Sequence, residues 1–423
     1  MGLWDLYASA YDALPRHFRP YQELTTRVVE AVESHMPKGR ILDAGCGTGN
    51  ISLELARRGF AVEAIDRSRE MLKRARAKVN GANSLDLEFR ECDIEHDLTL
   101  YPENSFDSIV SVHALYTLKS PKHALSEYWR VLKPSGHFIL AEPQHPVKII
   151  PIFKEIYADG GVRNVAELFM SQFWVGACNL VINRKLNNGS FQYWNEEQFR
   201  SLLKESSFRI DTIAPAYMAN SDLLTVAVKP RHYFQSGSYK LFTAETREDL
   251  EKVWRLRYEV YCLDIGYEPT NPNGLEKDEY DDYATHFLAL DENDRAVATM
   301  RFIPNNPKGF PMDLDFPLTE YLRTHSIPRA LEGGRFIIHK NVAREDRPIL
   351  AFGLYKCLFE YCKETGVYDI FTVSQSKVLE KYKLEGWRPI GEPFRYSKPL
   401  TGGLWVPVHW NAQEVYDNYL KNV

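Results

Sequence analysis

The turn DAGCGTG at residues 43–49 limits the possible folds more than any other short stretch of the chain. It follows a short apolar strand pattern at residues 40–43 and precedes an amphipathic helix pattern at residues 51–58. Glycine permits positive φ and lets a ligand approach the backbone closely, and the start of a helix offers unpaired N–H groups. A Gly-rich turn alone is weak evidence for a ligand, because plain turns also use glycine.

Acidic residues end the strands around this turn. Asp43 ends the first strand pattern, and the patterns at residues 61–65 and 87–90 lead into Asp66 and Asp93. Ligands of open parallel sheets bind beyond the carboxyl ends of the strands. A further helix is expected at residues 71–79, and further strands at residues 106–111, 136–141 and 223–228. This alternation predicts an α/β fold with a doubly wound parallel sheet.

The first half resembles the class I S-adenosylmethionine-dependent methyltransferases, of the type 11 kind. The likeness runs from about Tyr11 to Glu142 and rests on the turn, the acids, and the runs SFDSIVSVHALYTL and RVLKPSGHFILAEP. The resemblance implies a Rossmann-like fold in which Asp43 and the glycines face the methionine part of S-adenosyl-L-methionine, Asp66 the ribose and Asp93 the adenine amine. The cofactor-binding residues that it implies are Asp43, Gly45, Gly47, Gly49, Asp66, Asp93 and Tyr11.

Each of these residues also has a structural alternative. Asp43 and Asp66 could cap the helices that follow them, and Asp93 could be a turn acid. His113 follows the fourth strand, where this family often faces its methyl acceptor, so it is a candidate catalytic base or a pocket wall.

The N-terminal segment that contains Tyr7 and Tyr11 often forms a lid in this family, which suggests contact with the cofactor or the acceptor. Methyl transfer is an in-line displacement that depends largely on positioning the reactants. Few marked catalytic residues are therefore expected.

A second alternation of strands and helices begins after the sequence KPRHYFQSGSYK, whose Pro, Gly and Ser residues indicate a join near residues 230–238. Helices are expected at residues 248–263, 348–365 and 377–384. Strands are expected at residues 239–244, 286–290, 296–303, 331–339, 368–373, 388–395 and 404–408. This order predicts a mixed α/β domain with a single sheet.

Residues 240–395 resemble the GNAT acyltransferase superfold, and within it the acyl-homoserine-lactone synthases and N-acyl amino acid synthases. The likeness rests on the segments Arg257–Tyr261, Glu279–Asp281, Arg301–Pro304 and Glu332–Phe336. It implies an acyltransferase that takes its acyl group from an acyl carrier protein (acyl-ACP) or from acyl-CoA. The implied catalytic residues are Glu332 and Arg335. The implied acyl-thioester and amine site contains Arg257, Asp278, Asp281, Arg301, Arg344 and Arg347.

Three departures from this family pattern bear on the amine and on lactone formation. Tyr267 stands where the family usually has Trp, Gly334 where it has Ser, and Asn305–Asn306 follow Pro304 in place of Thr. Arg344 and Arg347 precede a helix whose start would favour a phosphate. The helix lacks a clear Gly-rich pyrophosphate loop, which favours a carrier protein over free CoA.

The charged residues of the second half have simpler alternatives as well. Glu332 and Arg335 could form a structural ion pair, and Arg257 could be a surface charge. The acids of the loop before the second strand of this half could be solvated, and Arg301 could merely tie its strand to that loop.

Composition limits the function further. The 423 residues include 52 Lys and Arg against 57 Asp and Glu, a net charge of −5, so nucleic-acid binding has no support. No apolar run is long enough to span a membrane. The six cysteines form no CxxC pair, so no metal is expected. Reduced thiols and the absence of a secretory signal indicate the cytoplasm.

We therefore expect a methyltransferase domain at residues 1–231, with a cap at about 145–190, an acyltransferase domain at 238–412, and a tail at 413–423. The leading hypothesis is a bifunctional enzyme of secondary-metabolite or signal biosynthesis. It would methylate a small-molecule acceptor and acylate an amine such as an amino acid, with an acyl carrier protein as a possible partner. One alternative is an acyl-homoserine-lactone-type synthase that uses S-adenosylmethionine as the amine. Another is that one half is a non-catalytic sensor.

Overall fold

The computed structural model describes residues 8, 18–79, 85–145, 181–182, 184–217, 220–395 and 403–415. The chain divides into two compact units, Met1–Lys229 and Pro230–Val423. The expected lid residues Tyr7 and Tyr11, most of the expected cap, and residues 416–423 of the expected tail lie outside the described residues.

The N-terminal unit alternates strands and helices up to its fifth strand. Its described helices are α1 (Arg19–His35), α2 (Asn50–Arg57), α3 (Arg69–Val79), α4 (Pro121–Val131) and α5 (Glu196–Glu205). Its strands are β1 (Arg40–Ala44), β2 (Ala61–Asp66), β3 (Leu87–Glu91), β4 (Phe106–Val112), β5 (Leu132–Pro143), β6 (Arg209–Ala216) and β7 (Asp222–Val228). The doubly wound sheet expected from the sequence is confirmed.

The seven strands lie in the order β3-β2-β1-β4-β5-β7-β6. Strands β1 to β5 pair in parallel, and β7 pairs antiparallel with both β5 and β6. The chain reverses direction across the sheet between β1 and β4, which is where such sheets open a crevice for a ligand. Since β7 is antiparallel, its first residues lie at the same edge as the carboxyl ends of β4 and β5.

Alternating strand residues supply the two faces of this sheet. Ile41 belongs to an apolar cluster with residues of α1 and α2, whereas the next residue, Leu42, belongs to a cluster with residues of α4 and α5. Both faces of the sheet are thus covered by helices, as a parallel sheet requires.

The C-terminal unit has a mixed sheet with helices on both faces. Its described helices are α6 (Arg247–Tyr258), α7 (Leu318–Thr324), α8 (Arg347–Thr365) and α9 (Leu379–Leu384), with a π-helical turn at Glu259–Asp264. Its strands are β8 (Phe234–Ser236), β9 (Tyr239–Thr243), β10 (Thr285–Leu290), β11 (Ala296–Pro304), β12 (Leu331–Ile338), β13 (Asp369–Gln375), β14 (Arg388–Pro389) and β15 (Trp405–Asn411). The eight strands lie in the order β14-β15-β13-β12-β11-β10-β9-β8.

The parallel strands β12 and β13 separate after a short contact. They pair only at Leu331–Ile370 and Glu332–Phe371, although β12 continues to Ile338. Beyond these pairs, the hydroxyl of Thr372 donates to the carbonyl oxygen of Gly333 at 2.7 Å. The regular pairing of the two strands therefore ends at Glu332.

Several expected boundaries of the second half are corrected by the structure. The join near residues 230–238 contains a strand, Phe234–Ser236, that pairs with β9. The helix expected to run to residue 263 ends at Tyr258 and continues as the π-helical turn. The strand expected at 388–395 has two residues, Arg388–Pro389, and an isolated bridge at Phe394. Pro389 and Pro393 limit the backbone N–H groups available for longer pairing.

None of the helices in the described parts of the chain is long and apolar enough to cross a membrane.

Candidate functional sites

The Gly-rich turn between β1 and α2 depends on left-handed backbone. Gly45, Gly47 and Gly49 have φ values of +81°, +55° and +74°. A Cβ added at Gly45 would lie 2.5 Å from the Cβ of Ala114, and one at Gly49 would lie 2.7 Å from the ring of Phe89. Close packing as well as backbone conformation therefore requires glycine here.

Asp66 lies at the carboxyl end of β2, next to this turn. One carboxylate oxygen accepts from the N–H of Gly47 at 2.9 Å, and the other accepts from the N–H of Ser68 at 2.7 Å. The hydroxyl of Ser68 in turn accepts from the N–H of Met71 at 3.2 Å. Ser68, not Asp66, thus caps α3, and the two bonds fix the orientation of the Asp66 carboxylate beside the turn.

Asp43 is buried and accepts a hydrogen bond from the hydroxyl of Ser52 in α2. Burial raises the pKa of Asp43 to about 7. This contact ties β1 to α2, whose N-cap residue is Gly49. Asp93 lies two residues beyond β3, where one oxygen accepts from the N–H of Glu95 at 3.0 Å. Asp93 therefore shapes a turn at the same sheet edge as Asp66.

His113 follows β4 directly and has a left-handed backbone, with φ +56°. Its N–H donates to the carbonyl of Ala141 at 3.0 Å. Its Nε2 is hydrogen-bonded to Oδ2 of Asp222, the first residue of β7. The ring packs 5.1 Å from that of Tyr217 and keeps 21% of the side-chain surface exposed. Burial lowers the pKa of His113, but the charges of Asp222 and Glu142 outweigh it, so the pKa is raised.

Glu142, near the end of β5, is buried beside this pair. Its carboxylate accepts from the N–H groups of Leu115 at 2.9 Å and Tyr116 at 3.1 Å, and more weakly from Ala114 at 3.3 Å. Burial raises the pKa of Glu142 to about 7. Sequence reasoning missed Asp222 and Glu142 because they lie far from His113 in the chain. The register of β5 with β7, which pairs Pro143 with Asp222, brings them together.

In the C-terminal unit, Arg257 is a fully buried side chain in the last turn of α6. Its guanidinium donates to Asp281 through two nitrogens, at 2.6 and 3.2 Å, and its Nε donates to Glu276. The charge of Arg257 lowers the pKa of both acids, although burial acts in the opposite direction. The alternatives of a surface charge for Arg257 and a solvated loop acid for Asp281 are both wrong.

Arg301 on β11 joins the same network. Its Nη1 donates to Asp278 at 2.8 Å and to Asp281 at 2.9 Å. Its Nε has no hydrogen-bond partner among the residues that the structure describes. His286, its register partner on β10, is buried 3.3 Å from Asp281 without hydrogen-bond geometry. Burial lowers the pKa of His286 to about 4, so its ring is neutral.

Arg335 completes the network from β12. It has φ +54° at a register shift between β11 and β12, so it is the left-handed residue of a β-bulge. Its guanidinium donates to Glu276 at 2.8 and 3.1 Å and lies 5.2 Å from the ring of Tyr261. Its closest acid is therefore Glu276, which sequence reasoning missed, and not Glu332.

Glu332 is buried one strand position beyond the start of β12. One oxygen accepts from the N–H of Met312 at 3.0 Å. Its register partners, Ile303 and Phe371, belong to an apolar cluster on the same face of the sheet. Burial raises the pKa of Glu332 to about 8, despite the positive charges of Arg301 and Arg335. A carboxyl group that holds its proton near neutral pH is suited to general acid and base chemistry.

The structure does not bring Arg344 and Arg347 into this network. Arg347 is the first residue of α8 and donates to the carbonyls of Lys340 at 2.9 Å and Val342 at 3.3 Å. Arg344 is exposed in the loop before α8. Both lie near the helix start at which a phosphate is expected, so their proposed role in binding a donor phosphate remains a prediction.

Two of the three departures from the family pattern lie close to Arg335, whereas Asn305 and Asn306 make hydrogen bonds in the loop after β11. Tyr267 stacks on Tyr261 with ring centres 6.1 Å apart, next to Arg335. A Cβ added at Gly334 would meet no atom within 4 Å, whereas one at Gly333 would lie 2.8 Å from the Phe302 ring. Serine would therefore fit at Gly334, and its absence is not enforced by packing.

Comparisons with known proteins agree with these two arrangements. Residues 42–140 match the family described as "Methyltransferase domain", and residues 242–398 match the family described as "Autoinducer synthase". YqeM of Bacillus subtilis (strain 168), provisionally named a methyltransferase, is 33% identical over 198 residues, which are 46% of this chain and 74% of YqeM. The chain belongs to the methyltransferase family. Its second half carries an autoinducer synthase domain.

Two other relatives of the methyltransferase domain carry more specific names. The ubiquinone/menaquinone biosynthesis C-methyltransferase UbiE of Geobacter sulfurreducens is 30% identical, over 40% of this chain and 65% of UbiE. The demethylmenaquinone methyltransferase of Renibacterium salmoninarum is 32% identical, over 41% of this chain and 64% of that protein. The chain therefore spans slightly less than two thirds of these two relatives.

Solved structures of methyltransferases are similar to about half of the chain. A SAM-dependent methyltransferase from Aquifex aeolicus has 17% identity and a TM-score of 0.36, covering 54% of this chain and 98% of that one. The magnesium protoporphyrin IX methyltransferase ChlM from Synechocystis PCC 6803 has 16% identity and a TM-score of 0.37, covering 52% and 94%.

The residues of the methyltransferase domain fit S-adenosylmethionine. The turn with three left-handed glycines leads into α2, so N–H groups face the crevice at the carboxyl edge. An oriented carboxylate, Asp66, ends β2, and Asp93 follows β3 at the same edge. No group of three or more residues that could hold a metal ion occurs within the described ranges.

Proposed function

We propose that this chain is a bifunctional small-molecule enzyme. The methyltransferase domain transfers a methyl group from S-adenosylmethionine to a small acceptor. The autoinducer synthase domain transfers an acyl group from an acyl-carrier-protein or CoA thioester to an amine such as an amino acid. The observation that carries the acyl-transfer half is the position of buried Glu332 at the point where β12 and β13 separate.

Acyl transfer to an amine requires removal of a proton before attack. Glu332, directly or through a water, accepts this proton from the ammonium group. The amine nitrogen then forms a bond to the thioester carbonyl carbon, and the C–S bond breaks with its electron pair on the leaving sulfur. This thiolate takes up the proton that the nitrogen loses as the amide forms. Backbone N–H groups that β13 leaves unpaired on β12 stabilise the oxyanion that develops between these events.

The arginine and acid network holds the loop and strands next to Glu332 in place. Arg257, Arg301 and Arg335 are each paired with Glu276, Asp278 or Asp281. The network holds the loop of residues 276–281 against β11 and β12, so that Arg335 and Glu332 keep a fixed relation. Its buried charges are paired, as buried charges must be.

In the methyltransferase domain, Asp66 would hold the ribose hydroxyls and the Gly-rich turn would lie against the methionine part. Bound S-adenosylmethionine supplies an electrophilic methyl group. The residues of the chain bind and orient the two reactants, and His113 faces the place where the acceptor enters in this family. The names of the relatives suggest a quinol-like ring as one acceptor to test.

A second candidate for the C-terminal domain is synthesis of an acyl-homoserine lactone with S-adenosylmethionine as the amine. The match to the autoinducer synthase family favours it. The two candidates release different products. Methyl transfer releases S-adenosylhomocysteine, whereas lactone synthesis releases methylthioadenosine.

The test is to incubate the purified protein with S-adenosylmethionine, acyl-carrier-protein and acyl-CoA thioesters, amino acids, and a small-molecule extract, and to follow products by mass spectrometry. S-adenosylhomocysteine together with a new N-acyl compound supports the bifunctional enzyme. Methylthioadenosine with an acyl lactone supports the second candidate. Binding of S-adenosylmethionine without either product would contradict both and indicate a sensor.

A further inference from the structure

The carboxylate of Asp222 is hydrogen-bonded to His113 at the carboxyl edge of the methyltransferase sheet. We propose that Asp222 is a positioning residue that holds His113 as the base of methyl transfer, and that the acceptor is a neutral, weakly acidic O–H or C–H compound rather than a carboxylate. This inference rests on the proposed methyl transfer and specifies its acceptor.

The geometry of Asp222 suits an orienting role. Its side chain is 3% exposed, and one oxygen accepts from the hydroxyl of Ser221 at 2.8 Å. The other oxygen is bonded to Nε2 of His113. A ring nitrogen bonded to a carboxylate carries the hydrogen, which places the lone pair of a neutral imidazole on Nδ1. The exposed part of His113 thus belongs to a ring whose orientation and tautomer are fixed.

The backbone of His113 is also held in an uncommon conformation. A residue other than glycine with positive φ is held there by its surroundings. At His113, its own N–H donates to the carbonyl of Ala141. In the turn that follows, three N–H groups donate to the carboxylate of Glu142. The fold therefore fixes both the main chain and the side chain of this histidine at the carboxyl edge of the sheet.

The charges around the imidazole indicate the class of acceptor. The charged groups that act on His113 are Asp222 from β7 and Glu142 from β5, and the neutral ring of Tyr217 packs beside it. Asp222, together with the ionised fraction of Glu142, repels an anionic acceptor. A carboxylate is already ionised at neutral pH and needs no base, whereas a hydroxyl or an activated carbon must lose a proton to react.

The proposed step balances in protons and electrons. The acceptor gives its proton to Nδ1 of His113, and the electron pair that is freed forms a bond to the methyl carbon of S-adenosylmethionine. The bond between that carbon and sulfur breaks, and its electron pair stays on sulfur as S-adenosylhomocysteine. The imidazolium, stabilised by Asp222, then returns its proton to water.

The chain offers a matched control in a second histidine and aspartate pair. Nε2 of His35 lies 3.2 Å from Oδ2 of Asp211, near the start of β6 and thus at the opposite edge of the sheet. The experiment compares wild-type protein with Asp222→Asn and Asp211→Asn. Nuclear magnetic resonance follows the titration of the His113 ring, and calorimetry measures binding of S-adenosylmethionine.

In Asp222→Asn the pKa of His113 is expected to fall below its wild-type value, and in Asp211→Asn to stay unchanged. Activity is measured as release of S-adenosylhomocysteine with 1,4-naphthalenediol, phenol and benzoate. We expect methylation of 1,4-naphthalenediol and phenol, which carry hydroxyl groups, and no methylation of benzoate. Replacing the carboxylate that orients a catalytic histidine lowered turnover by ~10⁴-fold in a serine protease, so Asp222→Asn should lower turnover by at least about 10²-fold, with S-adenosylmethionine binding retained.

An unchanged His113 titration in Asp222→Asn, or turnover within a factor of two of wild type, would overturn the role of Asp222. The proposed acceptor class would be overturned if benzoate were methylated as fast as phenol. It would also be overturned if protein that binds S-adenosylmethionine methylated none of the probes. Wild-type protein that fails to bind S-adenosylmethionine would instead overturn the proposed function itself.

Discussion

In the proposed acyl transfer, the protonation state of Glu332 decides whether the reaction can begin. Its burial beside an apolar cluster raises the pKa to about 8, so the carboxyl group is largely neutral below that pH. A base must be deprotonated, and the acyl-transfer rate should therefore rise with pH up to about 8 and then level off. Replacement by Gln removes the base and this part of the pH profile.

We predict that Glu332→Gln lowers acyl transfer by ~10²-fold or more. The same variant should be more stable than wild type at alkaline pH. A carboxyl group with a raised folded pKa contributes stability that is complete below its unfolded pKa of about 4.5 and is lost as pH rises through about 8. Thermal unfolding at pH 5 and pH 9 measures the difference. Glu360→Gln, on the exposed face of α8, is the control.

Gly333 and Gly334 form a second test at the residue scale, because neighbouring glycines have opposite surroundings. A Cβ at Gly333 would lie 2.8 Å from the Phe302 ring, and one at Gly334 would meet nothing within 4 Å. Gly333→Ser should destabilise the protein by ~1–3 kcal/mol, as overpacking does, and Gly334→Ser should change stability little. Denaturant unfolding checks both. Equal losses would contradict the packing described here.

The turn from β1 to α2 is the element on which the methyltransferase site depends. Gly45 combines positive φ with contact to Ala114, whereas Gly59 has φ +90° and a Cβ there would meet nothing within 4 Å. We predict that Gly45→Ala loses S-adenosylmethionine binding and that Gly59→Ala retains it, since only the first forces the turn to move. Calorimetric titration measures the binding constant.

The double variant Gly45→Ala/Ala114→Gly gives an internal check on this explanation. It removes the contact at 2.5 Å while keeping the backbone strain. Partial recovery of binding is expected. Failure to recover any binding would mean that φ alone, and not the contact with Ala114, requires glycine at this position.

Elements that repeat a local pattern were predictable from the sequence. The Gly-rich turn, the acids at strand ends and the apolar runs indicated β1 to β5 with boundaries close to those observed. The sequence also identified those residues of the arginine and acid network that lie within a family motif. Glu276, Glu142 and Asp222 were not found, because each acts through strand register or loop packing across many residues of the chain. A single sequence has no local signal for such pairs.

The alternatives that failed also have a common physical reason. Arg257 in a helix of mostly polar residues resembles a surface charge, yet it is fully buried between Glu276 and Asp281. The helix pattern predicts burial from the positions of apolar residues, so it does not detect a buried ion pair. Burial of Arg257 follows from the loop of residues 276–281 folding over α6, which is a tertiary event.

At the scale of the whole molecule, each of the two compact units contains its own sheet, core clusters and candidate site. The residues assigned to methyl transfer all lie before Lys229, and those assigned to acyl transfer all lie after Pro230. The two chemistries should therefore be separable by single substitutions in the full chain.

We predict that Asp66→Ala weakens S-adenosylmethionine binding by at least about 10-fold, the value of a lost hydrogen bond to a charged group. N-acyl product formation should continue, because Glu332 and its network are untouched. Glu332→Gln should show the reverse pattern. Mass spectrometry of both products in both variants checks this. If Asp66→Ala also abolished the acylated product, acylation would depend on S-adenosylmethionine. Since Asp66 lies in the methyltransferase unit, that result together with release of S-adenosylhomocysteine would show that methylation precedes acylation.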